Sequence, residues 1–76
     1  STEVTTIGKN AFKNCKKLKE VYINANNLKK VEKNAFKGVK KSTTIYLESS
    51  STKAFNKASK KIRKSGNKAV KLVEQD

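Results

Sequence analysis

An α/β fold is predicted for this chain: two stacked coils of a solenoid with short parallel strands, followed by a C-terminal helix and strand that act as a cap. Three observations predict it. Residues 4–23 (VTTIGKNAFKNCKKLKEVYI) align without a gap on residues 28–47 (LKKVEKNAFKGVKKSTTIYL) at an offset of 24, with eight of the 20 positions identical. Each unit ends in a short β-branched run, Val21-Tyr22-Ile23 and Thr44-Ile45-Tyr46-Leu47. Beyond Leu47 the apolar spacing becomes helical, then returns to a strand. The predicted organisation is two repeat units within residues 1–47 (4–23 and 28–47) and a cap over residues 48–76. Its helix is placed at about 53–64 and its strand at about 69–73. Seventy-six residues hold one folded domain.

The repeat is supported by more than identity, because the apolar slots coincide: Val4 with Leu28, Ile7 with Val31, Cys15 with Val39, Val21 with Ile45 and Ile23 with Leu47. One slot fails, Leu18 against Ser42. A period of 20 to 29 residues with one short strand per unit is the arithmetic of a leucine-rich repeat. Alternate strand side chains face opposite ways, so Val21, Ile23, Ile45 and Leu47 point into a core and Tyr22 and Tyr46 point out. Phe12 and Phe36, each preceded by alanine, fill the interior beneath. The predicted core is Ile7, Ala11, Phe12, Cys15, Leu18, Val21, Ile23, Leu28, Val31, Ala35, Phe36, Val39, Ile45, Leu47, Phe55, Ile62, Val70 and Leu72.

In the third segment, Ser51 or Thr52 is placed to cap a helix whose stripe is Ala54, Phe55, Ala58 and Ile62, with Phe55 at its centre. Basic residues crowd its last turn and Gly66 is placed to close it. Ala69-Val70-Lys71-Leu72-Val73 reads as a strand extending the parallel ladder, Val70 and Leu72 falling 25 residues after Ile45 and Leu47. No such cap precedes the first unit, so Ser1 to Ile7 is expected to present an open edge. Two coils plus a cap are read as the end of a longer array.

The run from Ile7 to Ile23 resembles the bacterial BspA-like leucine-rich repeat, whose pattern reads roughly I-G-x-x-A-F-x-x-C-x-x-L-x-x-V-x-I. The second unit departs from it with Glu32 for glycine, Val39 for cysteine and Ser42 for leucine, and looks like the last repeat of an array. The resemblance implies a surface-exposed or secreted bacterial protein whose curved array mediates adhesion or other protein contacts.

Composition excludes several chemistries. Histidine is absent and Cys15 is the only cysteine, which removes Ser-His-Asp and Cys-His catalysis, the usual zinc sets and an internal disulfide. Cys15 is read as a small buried hydrophobe. The acids Glu3, Glu20, Glu32, Glu48, Glu74 and Asp76 are scattered, and three glycines are too few for a phosphate-cradling loop. Neither an enzyme nor a cofactor is expected. With no apolar run of about 18 residues, membrane insertion is not expected, and no signal peptide is visible.

Two functions remain, from different classes. The first is a non-catalytic interaction module whose partner, an unnamed protein, contacts the exposed strand face at Glu20, Tyr22, Thr44, Tyr46 and Lys71. On that face the tyrosines lie about 4.8 Å apart, with Lys71 on the next rung. The same tyrosines also fit a simple cross-strand packing ladder. The second is polyanion binding, to nucleic acid, acidic wall polymer or sulfated glycan, since 19 basic against six acidic residues give a net charge of +13. Eighteen of the 19 are lysine, whereas specific readout favours arginine. Repetition of lysines at the same slots of both units fits a solvated face. As a fragment the chain is expected to be monomeric.

Overall fold

The structure, a computed structural model, describes residues 4–76. Its elements run β1 (Thr6–Ile7), β2 (Glu20–Asn24), β3 (Lys30–Val31), β4 (Thr44–Glu48), α1 (Thr52–Lys64) and β5 (Lys71–Gln75). β1 and β3 form a two-stranded sheet; β2, β4 and β5 form a three-stranded one with β4 central. Every pairing is parallel. The result is a small α/β structure with short parallel strands in two sheets and one helix.

The 24-residue offset is the register of both repeat pairings: Ile7 opposes Val31, and Val21, Tyr22 and Ile23 oppose Ile45, Tyr46 and Leu47. β1 and β3, two residues each, were not foreseen from the sequence. Between the strands the chain turns, yet backbone bonds continue from one repeat to the next. The amides of Asn10, Phe12 and Asn14 donate to the carbonyls of Lys33, Ala35 and Lys37 at 3.2, 2.7 and 2.8 Å. Irregular backbone stays satisfied in this way without strand geometry.

The turns repeat their dihedrals too. Asn10 and Asn34 take φ of 61° and 62°; Asn14 and Gly38, again 24 apart, take 59° and 82°. Asparagine enters this left-handed region more readily than other residues with a β-carbon. At Gly38 a side chain has no room, because an added Cβ would lie 2.2 Å from the Asn14 Oδ1 beneath it.

The second repeat is buried more completely than the first. Ala35, Phe36, Ile45 and Leu47 are fully enclosed, while Phe12 and Val21 are half-buried and Ala11 is exposed. Placing Ala11 in the core is therefore corrected. The cause is stacking: the second repeat lies between the first on one side and α1 with β5 on the other, whereas among the described residues the first is covered only by the second. The expected open edge at Ser1 to Ile7 begins at residues outside those described; Ile7 itself is buried. Cys15, Leu18, Val31, Phe55 and Leu72 are also only half-buried. Ala25 and Ala58 are core residues that the sequence reading omitted. Where Leu18 fails to match Ser42, the next residue compensates. Thr43 is fully buried and its hydroxyl donates to the Leu18 carbonyl.

α1 starts where the sequence placed it. Ser51 is extended and its Oγ accepts from the Ala54 amide at 3.2 Å. Lys61, Arg63 and Lys64 occupy the last turn, and Gly66 follows with φ 111°. The buried face centres on Ala58 and Ile62, not on Phe55, which is half-buried at the rim. Asn67 then ties this segment to the second repeat, its Nδ2 donating to the Phe36 and Val39 carbonyls, both at 3.1 Å.

β5 lies two residues later than expected, at 71–75. Ile45 pairs with Leu72 and Leu47 with Glu74, an offset of 27 where 25 was expected. Val70 is buried ahead of the strand. A two-residue slip keeps the same faces in and out, so Leu72 still points inward.

Candidate interaction surface

Side chains alternate across the three long strands, and because Ile23, Ile45 and Leu47 are buried, the intervening positions form the outer face. Three cross-strand rows result: Glu20, Thr44 and Lys71; Tyr22, Tyr46 and Val73; Asn24, Glu48 and Gln75. All five residues expected to form the surface lie on this face. The structure separates Lys71 from the tyrosine row, however: it opposes Thr44, and Val73 opposes Tyr46. Thr44 is nearly enclosed by its neighbours, so its part is to pack rather than to project.

The tyrosine rings stack, with centroids 4.8 Å apart and planes 11° from parallel. That distance is the spacing of adjacent strands, so in-register side chains leaving neighbouring backbones in the same rotamer stack without adjustment. Tyr46 is half-buried between Tyr22 and Val73, whereas Tyr22 is 58% exposed, the one large exposed hydrophobic among the described residues. Its hydroxyl donates to Glu20 Oε1 at 3.4 Å. Partial desolvation of the phenol holds its pKa above the ordinary tyrosine value, and the Glu20 charge, the Tyr46 hydroxyl and the hydrogen bond to Glu20 push the same way.

Below the rings lies an open hollow of about 260 Å³, edged by Tyr22, Tyr46, Asn24, Glu48, Gln75 and Asp76. Carboxylates thus gather on this face of a chain that is otherwise strongly basic. Asn24 and Glu48 were legible as members, each two residues past a tyrosine; Val73 and Gln75 were hidden by the register of β5. Among the described residues no three of His, Cys, Asp and Glu are placed to hold a metal ion. Cys15 is a half-buried free thiol in a turn of the first repeat. No helix among the described residues is long and apolar enough to cross a membrane.

Two units repeating strand, turn and core positions at a fixed offset, paired in parallel through an in-register ladder, define a leucine-rich repeat protein. The match with family models specifies which kind. The family described as BspA type Leucine rich repeat region (6 copies) matches residues 1–69, and the chain belongs to it. Leucine-rich repeats of this family are generally non-catalytic, and BspA-type proteins are typically found at the bacterial surface. No match is found among curated proteins or among solved structures.

Proposed function

We propose that this chain is a non-catalytic protein-interaction module of a bacterial surface or secreted protein, that it serves adhesion, and that it makes contact through the outer face of the β2-β4-β5 sheet. The observation that carries this reading is the Tyr22-Tyr46 stack. A stacked aromatic pair on the outer sheet face, one ring exposed and the other half-buried, offers large contact area at small entropic cost, as binding anchors do. Packing alone does not require it to be solvent-facing, since the inner face already supplies the core.

The architectural part of the proposal is that residues 4–47 form two coils of a solenoid and residues 48–76 its cap. Parallel stacking at a constant offset supports the coils. For the cap, the support is that α1 and β5 cover the second repeat where a further coil would otherwise lie.

The test uses a panel of purified extracellular proteins immobilised for surface binding. Tyr22→Ala and Tyr46→Ala are each expected to weaken whatever binding is found by ten-fold or more, while Lys13→Gln with Lys37→Gln leaves it within two-fold. Equal losses in both sets would assign the binding to bulk charge instead of the tyrosine face.

A further inference from the structure

A groove on another side of the molecule has a different chemistry. It runs between the 25–29 loop and α1 from its start to Lys61, has a volume of about 450 Å³, and is rimmed by Lys29, Lys53, Lys57 and Lys61 over a floor that includes Ala25 and Leu28. Both floor residues are buried, at 5% and 6% exposure. The walls are fixed to each other: the Asn26 Oδ1 accepts from the Ser50 amide and hydroxyl at 3.2 and 3.1 Å, and the Ala25 amide donates to the Glu48 carbonyl at 2.7 Å. Four lysines therefore line a preformed trough, three from α1 and one from the facing loop.

The placement of Lys53 and Lys57 works against the stability of the helix, whereas Lys61 lies in its last turn, where a cation is favourable. Lys53, Lys57 and Lys61 are spaced i, i+4, i+8, which stacks like charges on one helical face. Lys53 also sits in the first turn, near the positive end of the helix dipole, and no acidic residue occupies that turn. Among the described residues the only ion pair is Lys30 with Glu32 at 3.6 Å, so none of the four is neutralised by a carboxylate. What sets this site apart from the other basic surface is that its lysines line a groove whose lining includes no acidic residue. Local rules broken without structural return are characteristic of functional positions.

We infer that this groove binds a linear, base-free phosphodiester chain, such as a polyol phosphate. The lysines along α1 recur every four residues, about 6 Å of helix rise, so one phosphate can meet each as the chain runs along the helix. Lysine acts on phosphate as a point charge, which suits a flexible chain; arginine, with its bidentate fork, is missing from the groove. Both tyrosines lie on the sheet face and no aromatic lines this groove, so bases would find no ring to stack on. The inference uses none of the residues of the tyrosine face and does not rest on that reading.

The experiment measures binding of a synthetic poly(glycerol phosphate) oligomer to the full chain across a salt series, beside single-stranded DNA and heparin of equal charge. One variant carries Lys29→Gln, Lys53→Gln, Lys57→Gln and Lys61→Gln. A control with the same net charge carries Lys60→Gln, Arg63→Gln, Lys64→Gln and Lys68→Gln, from the neighbouring basic cluster at the end of the helix and the turn after it, none of which lines the groove. The groove variant is expected to lose at least ten-fold in affinity and to flatten the slope of log K against log salt by about 3, roughly 0.7 for each phosphate left without its lysine. The control loses less than three-fold. Oligomer should raise the melting temperature of the native chain and of the control, but not that of the groove variant. Each variant removes repulsions but also a favourable cation from the last helical turn, so circular dichroism melts of both are recorded to show that lost binding is not unfolding. Equal losses in the two variants, no binding at physiological salt, or tighter binding of DNA or heparin than of the oligomer would overturn the inference.

Discussion

Phe12 and Phe36 occupy the same slot of successive repeats, and truncating each separates the contribution of position from that of residue type. Their rings stack at 5.1 Å with planes 16° apart. Phe36 is fully enclosed and Phe12 half-buried. Removing a fully buried phenyl costs about 3–5 kcal/mol, and the same removal at a site half in water about half of that. A chain of 76 residues has about 4–11 kcal/mol in total, at the usual 0.05–0.15 per residue. Phe36→Ala is thus expected to leave little stability and Phe12→Ala to leave most of it. Urea unfolding followed by circular dichroism measures both, with Phe36→Leu as a milder truncation should Phe36→Ala not fold. The double variant should show a coupling of about 0.5–1.5 kcal/mol from the lost ring pair. If Phe12→Ala costs as much as Phe36→Ala, the two repeats are covered equally and the asymmetry of burial is wrong.

Three further expectations follow from the stacking, the sheet face and the terminal segment. Gly38→Ala should cost at least about 1–2 kcal/mol for its left-handed backbone, and more because its Cβ meets the Asn14 side chain; in an Asn14→Gly background the second part disappears, and an unchanged cost there would refute the clash. In a Tyr46→Phe background Tyr22 is the only tyrosine, and its ultraviolet titration should fall above the free phenol's value of about 10, moving down when Glu20→Gln is added. A raised folded pKa means that the unfolded chain loses this proton first, so the contribution to stability is intact below the unfolded value and lost as pH rises through the folded one; melting temperature should fall across that window relative to the same chain with Tyr22→Phe, in which the lysines titrate alike, and no movement of the titration with Glu20→Gln would exclude the carboxylate as a cause. Deleting residues 49–76 should expose Phe36 and Ile45 and leave β4 an unpaired edge that associates, as read by size-exclusion chromatography; a monomer with undiminished hydrogen-exchange protection would refute a capping role.

What the sequence revealed was whatever repeated. The pairing of Val21 with Ile45 and of Tyr22 with Tyr46 follows from an ungapped alignment, because equal lengths of chain stacked in parallel must bring equivalent residues side by side. β5 has no copy in the repeats, and only its apolar pair was available to set its register; the helix before it decides how much chain is used in reaching the sheet, and Val70 is taken up beneath it. Val73 therefore took the place beside Tyr46 that the expected register gave to Lys71. Ala11 shows a second limit, since its sequence is that of Ala35 and its burial is not. Burial here belongs to the neighbour, and a local pattern does not contain the neighbour. The lysine groove was equally hidden, as Lys29 and Lys57 meet only once the loop is tied to the helix start.

The bonds that join the repeats also dictate where the chain could change length over evolutionary time. From Thr5 to Asn14, and again from Lys19 to Asn26, successive residues are tied to partners one repeat later, so an added or lost residue would shift every rung beyond it. Between Cys15 and Leu18, and between Val39 and Ser42, no backbone bond joins the two repeats among the described residues. This is the stretch in which Leu18 is matched by Ser42. An indel would do least harm there, and repeats of unequal length in related chains should differ there first.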